Sequence, residues 1–175
     1  PRGWMPGAVD TRPPAGPADL DAALAVLSGH RLAVLTGAGL STDSGLPDYR
    51  GPRALPRNPV TYDQFVSGPD YRRHYWARNH LGWHSVYRTE PNPGHRALAA
   101  LERAGIVLGV ITQNVDRLHE RAGSVHVVDL HGHYDRIRCL SCGWKCTRSE
   151  LDERLMALNP DFLDRVTELG DVFHA

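Results

Sequence analysis

Gly37, Ala38, Gly39 and Ser41 belong to a glycine-rich stretch that directly follows a short apolar run at 31–36. Glycine lacks a Cβ, so a ligand can approach its backbone closely. The turn after a buried parallel strand is also where α/β folds present backbone amides to a pyrophosphate. A strand-to-helix turn favours glycine without any ligand as well. On its own, the stretch leaves phosphate binding and a purely structural turn as equal alternatives.

Polar side chains that could bind a ligand or move a proton follow two later apolar runs. Gln113, Asn114 and Asp116 come just after residue 112, and His131 follows the run 125–130. The carboxyl ends of parallel strands meet at one edge of a sheet, where ligands bind, and imidazole titrates near neutral pH as a general base requires. Asn114 or Asp116 could instead cap a helix, and most of the 10 histidines should be surface or core groups.

The three cysteines all lie within residues 139–146. Cys139 and Cys142 are separated by two residues, and two thiolates from one tight turn can occupy neighbouring positions around tetrahedral zinc. The pair therefore predicts half of a structural zinc site. A structural zinc site needs four ligands. Completion of the site by Cys146, His133 or His174 would not follow a standard ligand spacing and is the less favoured alternative.

Helical and strand patterns alternate along the chain. Apolar residues recur at helical spacing from Asp19, and Pro93 and Gly105 mark the start and end of a second helix. Apolar runs at 31–36, 106–112 and 125–130 predict strands, so the expected fold is α/β with a Rossmann-like parallel sheet. Thr42 stands where the dehydrogenase glycine fingerprint requires glycine, which makes a hydride-transfer enzyme the lesser alternative.

The regions outside these elements have distinct compositions. Residues 1–17 are rich in proline, which predicts a flexible leader. The segment 46–59 is also rich in proline, and we expect it to form a loop. Aromatic residues at 61–87 predict a small helical module whose aromatic side chains form its core. Thr147 and Glu150 predict a capping box, with Asn159-Pro160 ending that helix and a polar tail following.

Charge and hydropathy narrow the possible partners. Lys plus Arg and Asp plus Glu both number 20, so no overall field attracts nucleic acid or a membrane. No stretch approaches the roughly 18 apolar residues that a membrane helix needs. These features predict a cytoplasmic protein, and they leave its oligomeric state open.

Three blocks of sequence resemble the motifs of one enzyme family. Residues 37–50 read GAGLSTDSGLPDYR, similar to the sirtuin motif GAGxSxxSGIPDFR, with Leu46 and Tyr49 in place of the commoner Ile and Phe. Residues 112–119 (TQNVDRLH) resemble the sirtuin TQNxDxLH segment, and 130–132 resemble the segment that carries the catalytic histidine. Three ordered blocks followed by a Cys-x-x-Cys pair make coincidence implausible. The chain is therefore identified as a member of the sirtuin family.

The resemblance implies an activity and roles for particular residues. The expected enzyme is an NAD-dependent protein-lysine deacylase that transfers the acyl group to ADP-ribose, releases nicotinamide and takes acyl-lysine proteins as substrates. His131 is the expected general base, Asn114 orders ribose or water, Asp116 binds the nicotinamide carboxamide and Tyr49 shields the reactive ribose carbon. The resemblance assigns cofactor binding to Gly37, Ala38, Gly39, Ser41, Pro47, Asp48, Tyr49, Arg50, Gln113, Asn114 and Asp116.

The resemblance also implies a branch of the family and a division of the chain. The segments 73–79 and 135–142 look closest to the class II, lipoamidase-like branch. Tyr75 and Arg78 have the spacing of sirtuins that prefer acidic acyl groups, but a core aromatic beside a solvated arginine is slightly favoured, so acyl preference stays open. The expected catalytic domain, 18–175, has Rossmann-like parts at 18–60 and 88–133 and half a zinc module at 134–175.

The resemblance covers only the first half of a usual sirtuin core, and no second Cys-x-x-Cys follows Cys146. We therefore expect a truncated chain that on its own binds NAD weakly, holds zinc poorly and turns over little substrate. The alternative to a catalytic role is a non-catalytic remnant that senses NAD or binds protein.

Overall fold

The structure, a computed structural model, describes residues 16–48 and 59–168, without the side chains of 167 and 168. The described helices are α1 (Pro17–Leu27), α2 (Tyr62–Ser67), α3 (Pro69–Arg88), α4 (Pro93–Arg103), α5 (Leu118–Ala122), α6 (Arg148–Leu158) and α7 (Phe162–Glu168), with a 3-10 helix at Ala38–Ser44. The strands are β1 (Leu32–Thr36), β2 (Val107–Thr112), β3 (Val127–Asp129), β4 (Arg136–Arg138) and β5 (Lys145–Thr147).

The elements belong to two units, each described by itself. Among the described residues, the first unit comprises 16–48, 91–114 and 118–131, and the second comprises 59–90, 115–117 and 132–168. The first unit contains the β1–β3 sheet with α1, the 3-10 helix, α4 and α5. The second contains the β4–β5 hairpin with α2, α3, α6 and α7. The leader predicted at 1–17 lies outside the described residues except for Gly16 and Pro17, and Pro17 begins α1.

The first unit contains a sheet of three strands with β2 in the centre. The strands are parallel, as predicted. Thr36, Thr112 and Asp129 are in register at the carboxyl ends of the three strands. Gly109 in β2 has a packing reason to be glycine, because a Cβ there would lie 2.8 Å from the backbone oxygen of His126. The sheet therefore brings the segments that follow β1, β2 and β3 to one edge.

The two faces of this sheet differ in burial. α4 packs against β2 and α5, and this side contains the buried side chains of Ala99, Val110 and Leu118. Full burial of each of the larger apolar side chains stabilises the fold by about 1.5–3 kcal/mol. Leu35, Ile111 and Val128 form an in-register row on the other face and are 65%, 37% and 57% exposed. This face of the sheet is therefore largely exposed.

The helix ends follow local sequence signals. Asn92 caps α4 by accepting hydrogen bonds from the N–H groups of Gly94 and His95, and Pro93 occupies the first turn. Thr147 and Glu150 form the predicted capping box of α6. Gly105, at φ 74°, follows α4 in the left-handed conformation that glycine tolerates.

Several predictions about elements need correction. Val125 and Leu130 lie outside β3, so this strand is shorter than the apolar run suggested. The tail predicted after Asn159 contains α7, and the β4–β5 hairpin was not predicted. In the helical module Trp83 is buried, but Tyr71 is 44% exposed and so is not a core residue. None of the helices in the described part of the chain is long and apolar enough to span a lipid bilayer.

Candidate active site

The glycine-rich stretch follows β1 without a break and forms a compact turn. Gly37 is extended, the 3-10 helix Ala38–Ser44 follows it, and Gly45 ends that helix at φ 89°. The Thr42 hydroxyl donates to the Gly39 carbonyl at 2.8 Å, so the turn is stabilised by its own side chains. Ser41 is buried at 2% exposure.

Gly37 and Gly39 have no internal reason to be glycine. A Cβ built at either position meets no other atom within 4 Å, and neither residue has a positive φ. Neither packing nor backbone strain therefore demands glycine at these two positions. A ligand that lies against the backbone would demand it, so the open space fits a bound pyrophosphate.

Asn114 connects the end of β2 to this turn. Its Nδ2 donates to the Gly37 carbonyl oxygen at 3.0 Å and lies 3.2 Å from Ser41 Oγ. The Asn114 N–H donates to Thr112 Oγ1 at 3.0 Å. The side chain therefore holds the glycine turn in the structure.

A buried network of hydroxyl and imidazole groups lies at the strand ends, and sequence reasoning missed it. Thr36 Oγ1 donates to Thr112 Oγ1 at 2.8 Å and lies 2.9 Å from His119 Nε2. His119 is 1% exposed and its ring packs edge-on against His95, with ring centroids 5.0 Å apart. These contacts give His119 a structural role. Because Thr112 also accepts from the Asn114 backbone, the network fixes the start of the 113–116 loop.

Asn92 is a second residue that the sequence analysis did not single out. Besides capping α4, its Nδ2 donates to the Leu40 carbonyl oxygen at 2.7 Å. An asparagine before Pro93 signals a helix cap, but nothing local indicates the contact with a turn 52 positions earlier. Asn92 therefore anchors the glycine-rich turn to the start of α4.

His131 lies just beyond β3 with an exposed side chain. Its Nδ1 is 3.1 Å from the Gln113 carbonyl oxygen. A carbonyl can only accept, so Nδ1 carries the hydrogen and Nε2 keeps the lone pair of the neutral ring. This tautomer leaves Nε2 as the nitrogen that can take a proton.

The other residues predicted to bind the cofactor differ in exposure and in position. Gln113 and Pro47 are exposed, Asp48 is half-buried, and Ala38 begins the 3-10 helix. Tyr49 and Arg50 lie outside the described residues. Asp116 belongs to the second unit, next to Arg117, whose φ of 64° is unusual for a residue other than glycine.

Cys139 and Cys142 occupy the turn between β4 and β5. The Cys139 N–H donates to the Trp144 carbonyl at 2.7 Å, and the Gly143 N–H donates to the Cys139 carbonyl at 3.0 Å. Hydrogen bonds from the backbone N–H groups of Cys142 and Ser141 lower the pKa of the Cys139 thiol. Because zinc binds thiolates, this turn fits a metal ion held by Cys139 and Cys142.

The structure does not support completion of the zinc site by Cys146, His133 or His174. His133 Nδ1 is 2.8 Å from Asp135 Oδ1, Cys146 lies in β5, and His174 is outside the described residues. Within the described ranges, no third histidine, cysteine or carboxylate gathers around the Cys139–Cys142 pair.

Comparison with known proteins gives concordant results. A model of the Sir2 family matches residues 37–169. The NAD-dependent protein deacetylase 1 of Mycobacterium avium (strain 104) is 59% identical over 155 residues, which cover 89% of this chain and 55% of that protein. The human NAD-dependent protein lipoamidase sirtuin-4, mitochondrial, is 44% identical over 151 residues, covering 82% of this chain and 48% of that protein.

Solved structures agree with the curated relatives. A structure described as Sir2–p53 peptide–NAD+ is 40% identical, with a TM-score of 0.68 over 78% of this chain and 55% of that chain. The chain spans about half the length of the curated relatives that it matches.

Proposed function

The chain belongs to the Sir2 family, and on that premise we propose that it takes part in NAD-dependent removal of acyl groups from protein lysines. The proposed residues are His131 as general base and Asn114 as the residue that orders the ribose or water. The glycine-rich turn and the 113–116 loop bind the cofactor. Relatives named as NAD-dependent deacetylases and deacylases support this proposal.

One observation carries the proposal. Two consecutive residues, Gln113 and Asn114, hold the two parts of the site: the Gln113 carbonyl accepts from the His131 ring, and the Asn114 side chain donates to Gly37. Base and glycine turn are thus fixed to the same point of the chain, directly after the central strand. Such an arrangement is expected where one ligand must contact both the base and the glycine turn.

NAD would supply a nicotinamide leaving group and a ribose that accepts the acyl oxygen. Gly37 and Gly39 leave open space for its pyrophosphate. Pro47, Asp48, Tyr49 and Arg50 are proposed to cover the ribose and exclude water, and Asp116 is proposed to bind the carboxamide.

His131 would act through its free Nε2. Because Nδ1–H is committed to the Gln113 carbonyl, the ring is oriented and its basic nitrogen is exposed to a substrate hydroxyl. Proton removal would give an imidazolium that still donates from Nδ1 to the same carbonyl. The orientation of the ring therefore need not change during the reaction.

Zinc is proposed as a structural ion held by Cys139 and Cys142 as two of its ligands. The lowered pKa of the Cys139 thiol supports the ligand role, since the thiolate is the form that binds metal. The ion would tie the ends of the β4–β5 turn together. Among the described residues, no third metal-ligating side chain gathers beside this pair.

The substrate is proposed to be an acyl-lysine protein, and a lipoyl group is one candidate because a human relative is named a lipoamidase. An acidic acyl group is less favoured. The Tyr75 ring packs edge-on against Phe65 and Trp76, and burial raises the pKa of its hydroxyl, as expected of a core aromatic. A cytoplasmic location stays a prediction, and that human relative is named mitochondrial.

The test is product formation from an acyl-lysine peptide and NAD by the chain and by His131→Ala. Deacylated peptide and free nicotinamide are both measured. Removal of a general base lowers turnover by about 10²–10⁴-fold. We expect a loss of deacylated peptide in that range for His131→Ala.

His30→Ala is the matched control. His30 is also exposed, and its Nδ1 also lies 3.1 Å from a backbone carbonyl, that of Ser28. It should keep full turnover. A folded sample in which wild type and His131→Ala form equal product, or none, overturns the catalytic proposal and favours the NAD-sensing alternative.

A further inference from the structure

The second unit contains a group of three side chains that the proposed function does not use. His80 and His84 are four residues apart on α3, so they share one face of that helix, and Asp152 comes from α6. Each offers one ligand atom, and these three atoms all lie within 4.8 Å of one another. We propose that His80, His84 and Asp152 form a binding site for a divalent transition-metal ion, with Zn²⁺ as the ion to test.

One distance within the group matches the spacing of two ligands on a metal ion. His84 Nε2 lies 3.4 Å from Asp152 Oδ2 without forming a hydrogen bond. Two ligands on a tetrahedral zinc ion with bonds near 2.0–2.1 Å are separated by about 3.3 Å. His80 Nδ1 and Asp152 Oδ1 are closer, at 2.8 Å, as in a hydrogen bond. Metal binding would need only a small opening at that one contact.

An unsatisfied nitrogen atom of His84 is the second observation. Within the part of the chain that the structure describes, His84 Nε2, which lies beside Asp152 Oδ2, is buried and has no hydrogen-bond partner. A buried polar atom without a partner destabilises the fold. Coordination of an ion satisfies an imidazole lone pair, and the remaining ring nitrogen can then donate its hydrogen.

Two imidazoles and one carboxylate are a ligand set that suits zinc and its neighbours in the first transition row. The side chains of His80 and Asp152 are 4% and 10% exposed, whereas that of His84 is 31% exposed. The ion can therefore enter beside His84, and water can supply a further ligand there. The Phe162 ring, 5.5 Å from the His80 ring, gives the other side an apolar wall.

Arg148 is the feature that opposes the ion. Its Nη1 lies 3.5 Å from Asp152 Oδ1, and its positive charge competes for the carboxylate. Its guanidinium has other support, since it lies over the Trp83 and Trp76 rings and donates to the Asn79 carbonyl at 3.0 Å. We therefore expect Oδ2 to be the oxygen that serves the metal, and the affinity to be below that of a closed four-ligand site.

The experiment measures zinc retained by the chain after its thiols have been alkylated, so that the cysteines cannot contribute. Wild type should retain about one zinc ion per chain. Asp152→Asn keeps the size of the side chain and a hydrogen-bond acceptor for His80 but removes the charge. It should weaken zinc binding by at least about tenfold, as should His84→Gln.

His74→Ala is the matched control, because His74 is an exposed histidine on the same helix, and it should bind zinc like wild type. Zinc should also raise the melting temperature of wild type and not that of Asp152→Asn. Circular dichroism checks folding, and His84→Gln, at the more exposed position, serves if Asp152→Asn does not fold. Equal zinc binding by wild type and a folded variant, or no retained zinc in wild type, overturns the proposal.

Discussion

The side-chain amide of Asn114 donates to the carbonyl oxygen of Gly37 at 3.0 Å, joining residues 77 positions apart in the sequence. The same amide nitrogen lies 3.2 Å from Ser41 Oγ. Asn114 therefore has a structural role before any ligand binds. It also means that a residue proposed to order ribose or water is itself ordered by the turn proposed to hold the pyrophosphate.

Replacing Asn114 with alanine should loosen the turn. The Gly37 carbonyl loses its donor, and a hydrogen bond of this kind contributes about 0.5–1.5 kcal/mol to the free energy of unfolding. We expect a destabilisation in that range by urea unfolding and a weaker affinity for ADP-ribose by calorimetry. Asn159→Ala is the control, since the Asn159 side chain donates to the Leu155 carbonyl of the helix that it ends. Unchanged ADP-ribose affinity in folded Asn114→Ala would count against the proposed role of the turn.

Gly37→Ala tests whether the open space serves a ligand. Nothing lies within 4 Å of the added methyl group, so stability should change by less than about 0.5 kcal/mol. Affinity for ADP-ribose should nevertheless fall, because the methyl group occupies the space over the backbone. Gly68→Ala is matched, with φ −165° and the same empty surroundings, and should bind like wild type. Equal affinities for the two variants would contradict the proposed contact.

Much of the fold follows from local patterns. Pro93 and Gly105 delimit α4 because each has a backbone preference that acts without tertiary contacts. The apolar runs identify β1 and β2 because strands of parallel sheets are commonly apolar on both faces, although one face is largely exposed here. The β4–β5 hairpin escaped prediction because three-residue strands are too short to show a period.

The supporting residues of the site are harder to predict. Thr36 and Thr112 are bonded across 76 positions, and only the parallel register of β1 and β2 brings them together. The sequence around Asn92 predicts a helix cap, but it does not predict the hydrogen bond from Asn92 to the Leu40 carbonyl. Motif residues were identified because their family resemblance is local, whereas these partners depend on tertiary pairing.

The thiol of Cys139 should react at unusually low pH. Backbone hydrogen bonds from Cys142 and Ser141 lower its pKa from the ordinary 9.0, so more thiolate is present at a given pH. In metal-free protein, we expect the iodoacetamide reaction at Cys139, followed by peptide mass spectrometry, to persist at pH values where a cysteine in a short peptide has become slow. Added zinc should protect Cys139. A pH profile identical to that of the peptide would refute the prediction.

Glu102 should make stability depend on acid pH. Burial opposes its ionisation, but hydrogen bonds from the backbone and ring of His126 and the backbone of Val125 outweigh burial and lower its pKa from the ordinary 4.5. A carboxyl whose folded pKa is depressed stabilises the fold above its unfolded pKa, and this contribution is lost as pH falls through the folded pKa.

Glu102→Gln keeps an acceptor oxygen but removes the charge, so its cost should follow the same pH dependence. Near the surface we expect a loss of about 0.5–1 kcal/mol at neutral pH. This difference from wild type should shrink as the pH is lowered below the ordinary pKa of glutamate. Urea unfolding at a series of pH values measures it, with the exposed Glu153→Gln as the control. A loss that is the same at neutral and acid pH would show that the charge of Glu102 does not stabilise the loop at Val125 and His126.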